Sequence, residues 1–252
     1  MKKNKTIGVV SYGFVGKHMA DFFRTHYTVK IYDPAYVKKA PKVENCIFVK
    51  SLKDLKDCEL TAVCVPTPVG KDGECDVSLV EKTVRELETP LILIKSTVTP
   101  GTTKHLTYET YKNIVFSPEF AGESTYWSPY AFDKNMQAAP YFIFGGQRFV
   151  SEMVVDIFAP IVGPTKKYHF TDSTTAELVK YWENTYFALK VTFCNEMRDI
   201  CEKMDINYWE ARELWLLDPR VEPMHTAVFI DKRGFGGKCY PKDTQALRAA
   251  CR

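Results

Sequence analysis

The opening stretch Thr6-Ile7-Gly8-Val9-Val10-Ser11-Tyr12-Gly13-Phe14-Val15-Gly16 constrains the fold of this chain more than any other. An apolar, β-like run enters a glycine turn and then the helical pattern Lys17-His18-Met19-Ala20-Asp21-Phe22-Phe23, the setting of a dinucleotide fingerprint. Backbone N–H groups at a helix start face a pyrophosphate in such a turn. Within Gly13-Phe14-Val15-Gly16, Gly13 allows the close approach and Gly16 the contact of helix with strand. Ser11 stands where a first glycine is usual, so a less tight turn is expected there. Asp33 follows a second strand, Val29-Lys30-Ile31-Tyr32, at the fingerprint's offset of about 20 residues. A carboxylate there accepts from ribose hydroxyls and repels a 2′-phosphate, which favours NAD over NADP. The structural alternative is that Asp33-Pro34 only ends a strand.

Further short apolar runs, at 46–49, 60–65, 91–96, 114–117, 141–144 and 166–169, alternate with helical segments. That rhythm predicts the α/β class, with a mostly parallel, doubly wound sheet whose ligands sit off the carboxyl ends of the strands. Small and polar residues gather at those ends: Val65-Pro66-Thr67-Pro68, Ser96-Thr97-Val98 with Thr99-Pro100-Gly101-Thr102, and Ser117-Pro118-Glu119-Phe120-Ala121-Gly122-Glu123-Ser124. Any one of them reads as a structural turn, but three on one sheet edge point to a site.

Composition narrows the class. A net charge of +3 with scattered Lys and Arg calls for neither nucleic acid nor membrane as partner. The eight cysteines contain no CxxC pair and no His/Cys cluster at zinc spacing, so a reduced, cytoplasmic protein without a metal is expected. The apolar run after Met1-Lys2-Lys3-Asn4-Lys5 is broken by Ser11, Tyr12, Gly13 and Gly16, unlike a secretory leader, and no stretch is apolar enough to span a bilayer.

From 171 to 204 there is almost no Gly or Pro, and Thr171-Asp172-Ser173 offers N-cap candidates for a long helix with Glu177 in its first turns. Lys180 and Asn184 share one face of it. A second helix at 208–217 precedes Asp218-Pro219-Arg220. Then comes Gly234-Phe235-Gly236-Gly237-Lys238-Cys239-Tyr240-Pro241-Lys242-Asp243. A cysteine approached by glycines and followed by a cation and a carboxylate is built like a nucleophile site, although a free cysteine is more often a small buried apolar residue.

Together these stretches resemble the nucleotide-sugar dehydrogenases, the family of UDP-glucose 6-dehydrogenase and GDP-mannose 6-dehydrogenase. The cysteine stretch looks like that family's nucleophile motif, and Val65-Pro66-Thr67-Pro68, Ser96-Thr97-Val98, Ser117-Pro118-Glu119-Phe120, Lys180 with Asn184, and Asp218-Pro219-Arg220 match in order. The resemblance implies a Rossmann-like NAD-binding domain in residues 1–170. A long connecting helix and a small, truncated all-α domain would fill 171–252. It also implies a four-electron oxidation of a sugar's primary alcohol at the expense of two NAD, through a thiohemiacetal and a thioester on Cys239. By the same analogy Lys180 and Asn184 stabilise the oxyanion, Asp243 and Lys180 hold a water that Thr97 helps to place, and Glu119 serves thioester hydrolysis. Glu123 and the backbone of Phe120, Ala121 and Gly122 would line sugar and nicotinamide, Thr67 and Lys242 would lie along NAD, and Gly236 and Arg220 would meet substrate. A homodimer through the long helix is the implied minimum.

Four departures stand beside the match. Ala121 and Gly122 replace a bulky and a basic residue, the segment 33–60 is short for the family, the loop after Arg220 is slightly long, and the chain ends at Arg252, soon after Asp243. The family's second nucleotide-gripping domain is therefore expected to be absent or supplied by a partner. UDP-glucose is the favoured substrate, with GDP-mannose or a UDP-N-acetylhexosamine as alternatives. A two-electron alcohol dehydrogenase and a non-catalytic NAD-binding relative are the readings from other classes.

Overall fold

A computed structural model of the chain describes residues 5–122 and 135–251. Among them β1 (Thr6–Val10), β2 (Thr28–Tyr32), β3 (Cys46–Val49), β4 (Leu60–Val63), β5 (Ile92–Ile94), β6 (Ile114–Phe116), β7 (Tyr141–Gly145) and β8 (Lys167–Thr171) form one sheet. Its order is β3-β2-β1-β4-β5-β6-β7-β8. The strands pair in parallel except β6 and β7, which run antiparallel with Phe116 opposite Gly145. The first six follow the Rossmann order, and the reversal between β1 and β4 opens a crevice at their carboxyl ends.

The helices are α1 (Phe14–Phe23), α2 (Ser78–Glu86), α3 (Thr102–Thr110), α4 (Arg148–Val162), α5 (Ser173–Lys203), α6 (Tyr208–Trp215) and α7 (Tyr240–Ala250). Strand alternation explains why the sheet is covered on both sides, since successive side chains point to opposite faces. Ile7, Val9, Leu60, Ala62 and Leu93 pack with Met19, Phe22 and Phe23 of α1 and Val154 and Phe158 of α4. Val10, Val63, Ile92, Ile94 and Phe116 pack with Val80 and Val84 of α2, Leu106 of α3 and Ala176 of α5. The central strands stop earlier than their apolar runs. β4 ends at Val63 rather than residue 65, and beyond it Ser96 donates through Oγ to the Val65 carbonyl, 2.7 Å.

Ser11 does not loosen the glycine turn. It takes the left-handed conformation, φ 74°, that glycine adopts at least cost, and its N–H still bonds Tyr32 O at 2.8 Å. Gly16 is held so close that a Cβ on it would lie 1.9 Å from Ser11 O, so only glycine fits.

The chain divides into two compact units, residues 1–70 with 75–180 and residues 71–74 with 181–252. The division falls within α5, after Lys180. Asp172 caps this helix, accepting from Thr175 N at 2.9 Å and Thr175 Oγ1 at 2.6 Å. The second unit has a small core of Cys194, Tyr208 and Val228. No helix is long and apolar enough to cross a membrane among the described residues, and all eight cysteines are free thiols.

Glu177, fully buried, joins α5 to the start of α3 by accepting from Gly101 N at 2.6 Å and Thr103 N at 2.9 Å. Burial pushes its carboxyl up to about 7, against the pull of those donors. A raised acid favours the folded state below the unfolded value of 4.5 and loses that contribution as pH climbs through about 7. Urea unfolding at pH 5 and pH 8 is expected to show wild type losing on the order of 2–3 kcal/mol more than Glu177→Gln over that interval. Equal slopes for the two proteins would show that this carboxyl titrates normally.

Candidate active site

In the first unit the predicted cofactor residues lie at the carboxyl ends of β1, β2, β4 and β5. Gly13 is exposed and is the N-cap of α1 with no side-chain cap, so the helix start at Phe14, Val15 and Gly16 presents backbone N–H groups that no side chain fills. Asp33 caps the following turn, Ala35 N to Oδ1 2.8 Å, and accepts from Tyr12 N in the glycine turn, 2.6 Å to Oδ2. These bonds give Asp33 its turn-ending role and leave each oxygen a second acceptor site. An uncapped helix start beside a carboxylate fits a dinucleotide better than a metal, and no three metal-ligating side chains gather among the described residues. Thr67 links the next two strand ends, its hydroxyl donating to Thr97 O at 2.8 Å.

Glu119 follows β6, and the structure pairs it with Lys95, which sequence reasoning missed. Lys95 Nζ lies 3.1 Å from Glu119 Oε2, with the two side chains only 3% and 10% exposed. The contact is a buried ion pair. The ammonium itself donates to Pro118 O at 3.0 Å, and Glu119 Oε1 accepts from Ala121 N at 2.9 Å. Burial works against the charged carboxyl, but Lys95, the Ala121 N–H and Lys180 outweigh it and hold Glu119 below its ordinary value. The signal in the sequence was a lone charge at the end of the run Ile92-Leu93-Ile94-Lys95. Phe120 completes this group under Lys180, whose ammonium stands 5.2 Å from the ring centroid. Ala121 and Gly122 are partly exposed, and Glu123 lies outside the described residues.

In the second unit, α5 and α7 bring Asn184, Asp243 and Lys242 together. Asn184 Nδ2 donates to Asp243 Oδ2, and Lys242 Nζ to Asp243 Oδ1, on a carboxylate 1% exposed. Asp243 N closes the first turn of α7 on Cys239 O, 2.8 Å. Cys239 is thus the N-cap of α7, and it is exposed. The residues before it, Gly234 to Lys238, are all exposed, and Gly237 has φ 79°, a conformation that favours glycine. Gly236 has open space where a Cβ would sit.

Upstream, Asn195 of α5 anchors this stretch by accepting from Arg233 Nε at 2.7 Å and Gly234 N at 3.0 Å. Asn195 was not singled out from the sequence, where it is one polar residue in a long helix. Arg220 is apart from these groups, its side chain 88% exposed and closed on Asp218, 2.6 Å. An exposed thiol at a helix start with an amide and carboxylate tied behind it can add to a carbonyl carbon.

Two family models match the chain. The NAD binding domain of the UDP-glucose/GDP-mannose dehydrogenase family covers residues 25–146, and the central domain of that family covers 174–252. A UDP-glucose 6-dehydrogenase of Rickettsia felis is 30% identical over 225 residues, 84% of this chain and 48% of the relative. A UDP-N-acetyl-D-mannosamine dehydrogenase of Methanocaldococcus jannaschii is 33% identical over 193 residues, 72% of this chain and 42% of the relative. The solved UDP-glucose dehydrogenase of Pyrobaculum islandicum shares the fold with a TM-score of 0.82 at 24% identity, over 98% of this chain and 64% of that one. The chain spans about half the length of the curated relatives it matches.

Proposed function

Because the chain belongs to the UDP-glucose/GDP-mannose dehydrogenase family, we propose that it oxidises the primary alcohol of a nucleotide sugar to a carboxylate, with UDP-glucose as the favoured substrate. The overall change converts alcohol, water and two NAD⁺ into carboxylate, two NADH and three protons. Bound NAD supplies the hydride acceptor for both oxidations, with Gly13, Phe14, Val15, Gly16 and Asp33 as the residues that hold it. The observation that carries the reading is Cys239, exposed at the head of α7 and anchored through Asp243 to Asn184.

The chain's own groups divide the work. The Cys239 thiolate adds to the aldehyde carbon, forming a thiohemiacetal. Hydride loss turns this into a thioester, and water then releases the acid and frees the thiolate. Asn184 gives one amide N–H to Asp243 and keeps another for an oxyanion, which Lys180 supports with its charge. Glu119, held ionised beside Lys95, is a weak base, so its part is to orient the hydrolytic water rather than to take a proton at ordinary carboxyl strength. Thr97 and Thr67 shape the neighbouring loop, and Lys242 steadies Asp243. The test is NADH counted per sugar consumed, with UDP-glucose, GDP-mannose and a UDP-N-acetylhexosamine in turn. Two per UDP-glucose is expected, and one per sugar would replace this reading with a simple alcohol dehydrogenase.

A homodimer is part of the same reading. Trp182, Tyr186, Leu189, Phe193 and Ile200 stand 62%, 58%, 66%, 45% and 46% exposed on α5 at the alternating spacing of a helix seam. Light scattering is expected to give twice the chain mass for wild type and the single mass for Leu189→Asp with Phe193→Asp. A dimer that survives both charges would move the interface elsewhere.

A further inference from the structure

Phe187, three residues beyond Asn184 on α5, carries a stacked imidazole. Its ring and that of His225 are 4.3 Å apart between centroids at 19°. His225 Nε2 in turn lies 2.6 Å from the Tyr240 hydroxyl, and the Tyr240 ring meets the imidazole edge-on at 5.7 Å. Tyr240 is the residue after Cys239 and the first of α7. None of these three side chains has a part in the chemistry above.

The backbone at His225 is left-handed, φ 64°, a conformation that a residue with a side chain keeps only when its surroundings dictate it. Those surroundings are visible at Thr226, which is fully buried. Its hydroxyl donates to Pro223 O at 2.7 Å and accepts from Arg212 Nε at 2.8 Å. Its carbonyl accepts from the Tyr208 hydroxyl at 2.6 Å. The imidazole is therefore presented to Tyr240 by a rigid stretch, not by a side chain free to wander.

We propose that His225 and Tyr240 form a positioning couple for Cys239. Asn184 ties the first turn of α7 to α5 at Asp243. Tyr240 and Asp243 are three apart and lie on one helix face, so the His225 contact adds a tie on the same side. Together these ties hold the direction in which the exposed Cys239 leaves the helix. The couple acts as a positioning pair, through the placement of the cysteine. This inference rests on the reading of Cys239 as the nucleophile.

Its test uses the full chain and iodoacetamide, with alkylation of Cys239 measured by mass spectrometry against Cys251, the exposed thiol at the other end of α7. Tyr240→Phe, which keeps the ring, and His225→Ala are each expected to slow Cys239 relative to Cys251 by about threefold to tenfold, the range of one net hydrogen bond. Fraying the first turn takes the helix-start N–H groups away from the thiolate. The double variant should be no slower than the worse single, because the two residues act as one unit. His225→Gln, whose amide oxygen can accept from the Tyr240 hydroxyl, should recover most of the rate. An unchanged ratio in Tyr240→Phe, or effects that add in the double variant, would overturn the couple. With a nucleotide sugar that yields NADH, kcat should fall by a similar factor while KM for NAD holds, and a shift in that KM instead would mark a merely structural role. Absence of NADH with every sugar would sink the dehydrogenase reading, and the alkylation ratio would still decide the couple.

Discussion

Cys239→Ser is expected to lower turnover to the carboxylate by at least about 10³-fold, the scale on which covalent enzymes lose activity without their nucleophile. A hydroxyl at this position is a far weaker nucleophile than a thiolate at neutral pH. The same exchange should leave the fold intact, because Cys239 is exposed and makes no side-chain cap bond for serine to lose. Activity is thus expected to fall while stability holds. NADH counting and urea unfolding on one preparation check both. Two NADH per sugar from the serine variant would remove the covalent step from the mechanism.

Lys95→Met is expected to cause a large loss of stability in the first unit. It strips the cation from Glu119 while leaving that carboxylate among buried groups, and breaking a buried pair from one side costs about 3–5 kcal/mol. The cost should shrink as pH falls and Glu119 takes up a proton. A depressed carboxyl contributes above its unfolded pKa and loses that contribution as pH drops through the folded value, so wild type should weaken over the same acid range. Adding Glu119→Leu to Lys95→Met should restore much of the loss, since an apolar pair of similar volume often matches a buried ion pair. If unfolding in urea shows the double variant no better than Lys95→Met, the damage lies in packing and not in the orphaned charge.

The sheet was legible because its signals are local. Apolar runs such as 60–65 and 91–96 carry their own period, and the glycine turn at Ser11 to Gly16 carries its own geometry. The long helix announced itself by the lack of Gly and Pro and by Asp172 at its start. What was hidden depends on pairs distant in sequence. Lys95 reads as a strand end until Glu119 is beside it, and Asn195 reads as a polar helix residue until Gly234 reaches it. The antiparallel meeting of β6 with β7 was also out of reach, since β7 has the same apolar pattern in either direction. Of the candidate site, residue types and order were readable, and Asn184, Lys242 and Asp243 do converge. Arg220, whose partner is two residues away, shows why a motif residue's exposure cannot be read from its motif.

Four side chains of α5 are tied to the chain around Cys239: Asn184 to Asp243, Phe187 to His225, Lys190 to Glu222 and Asn195 to Arg233. A helix turns by about 100° and advances about 1.5 Å with each residue. Deleting or inserting one residue between 184 and 195 would therefore swing the later side chains off the face that the earlier ones occupy. Point substitutions there remove one tie each, whereas a shift in length removes several together. Length variation among sequences of this type is expected to collect in the exposed turn at 230–231, before the Arg233 tie, where added residues increase only a slowly growing loop entropy. The α5 segment between the ties behaves as a ruler whose length cannot drift.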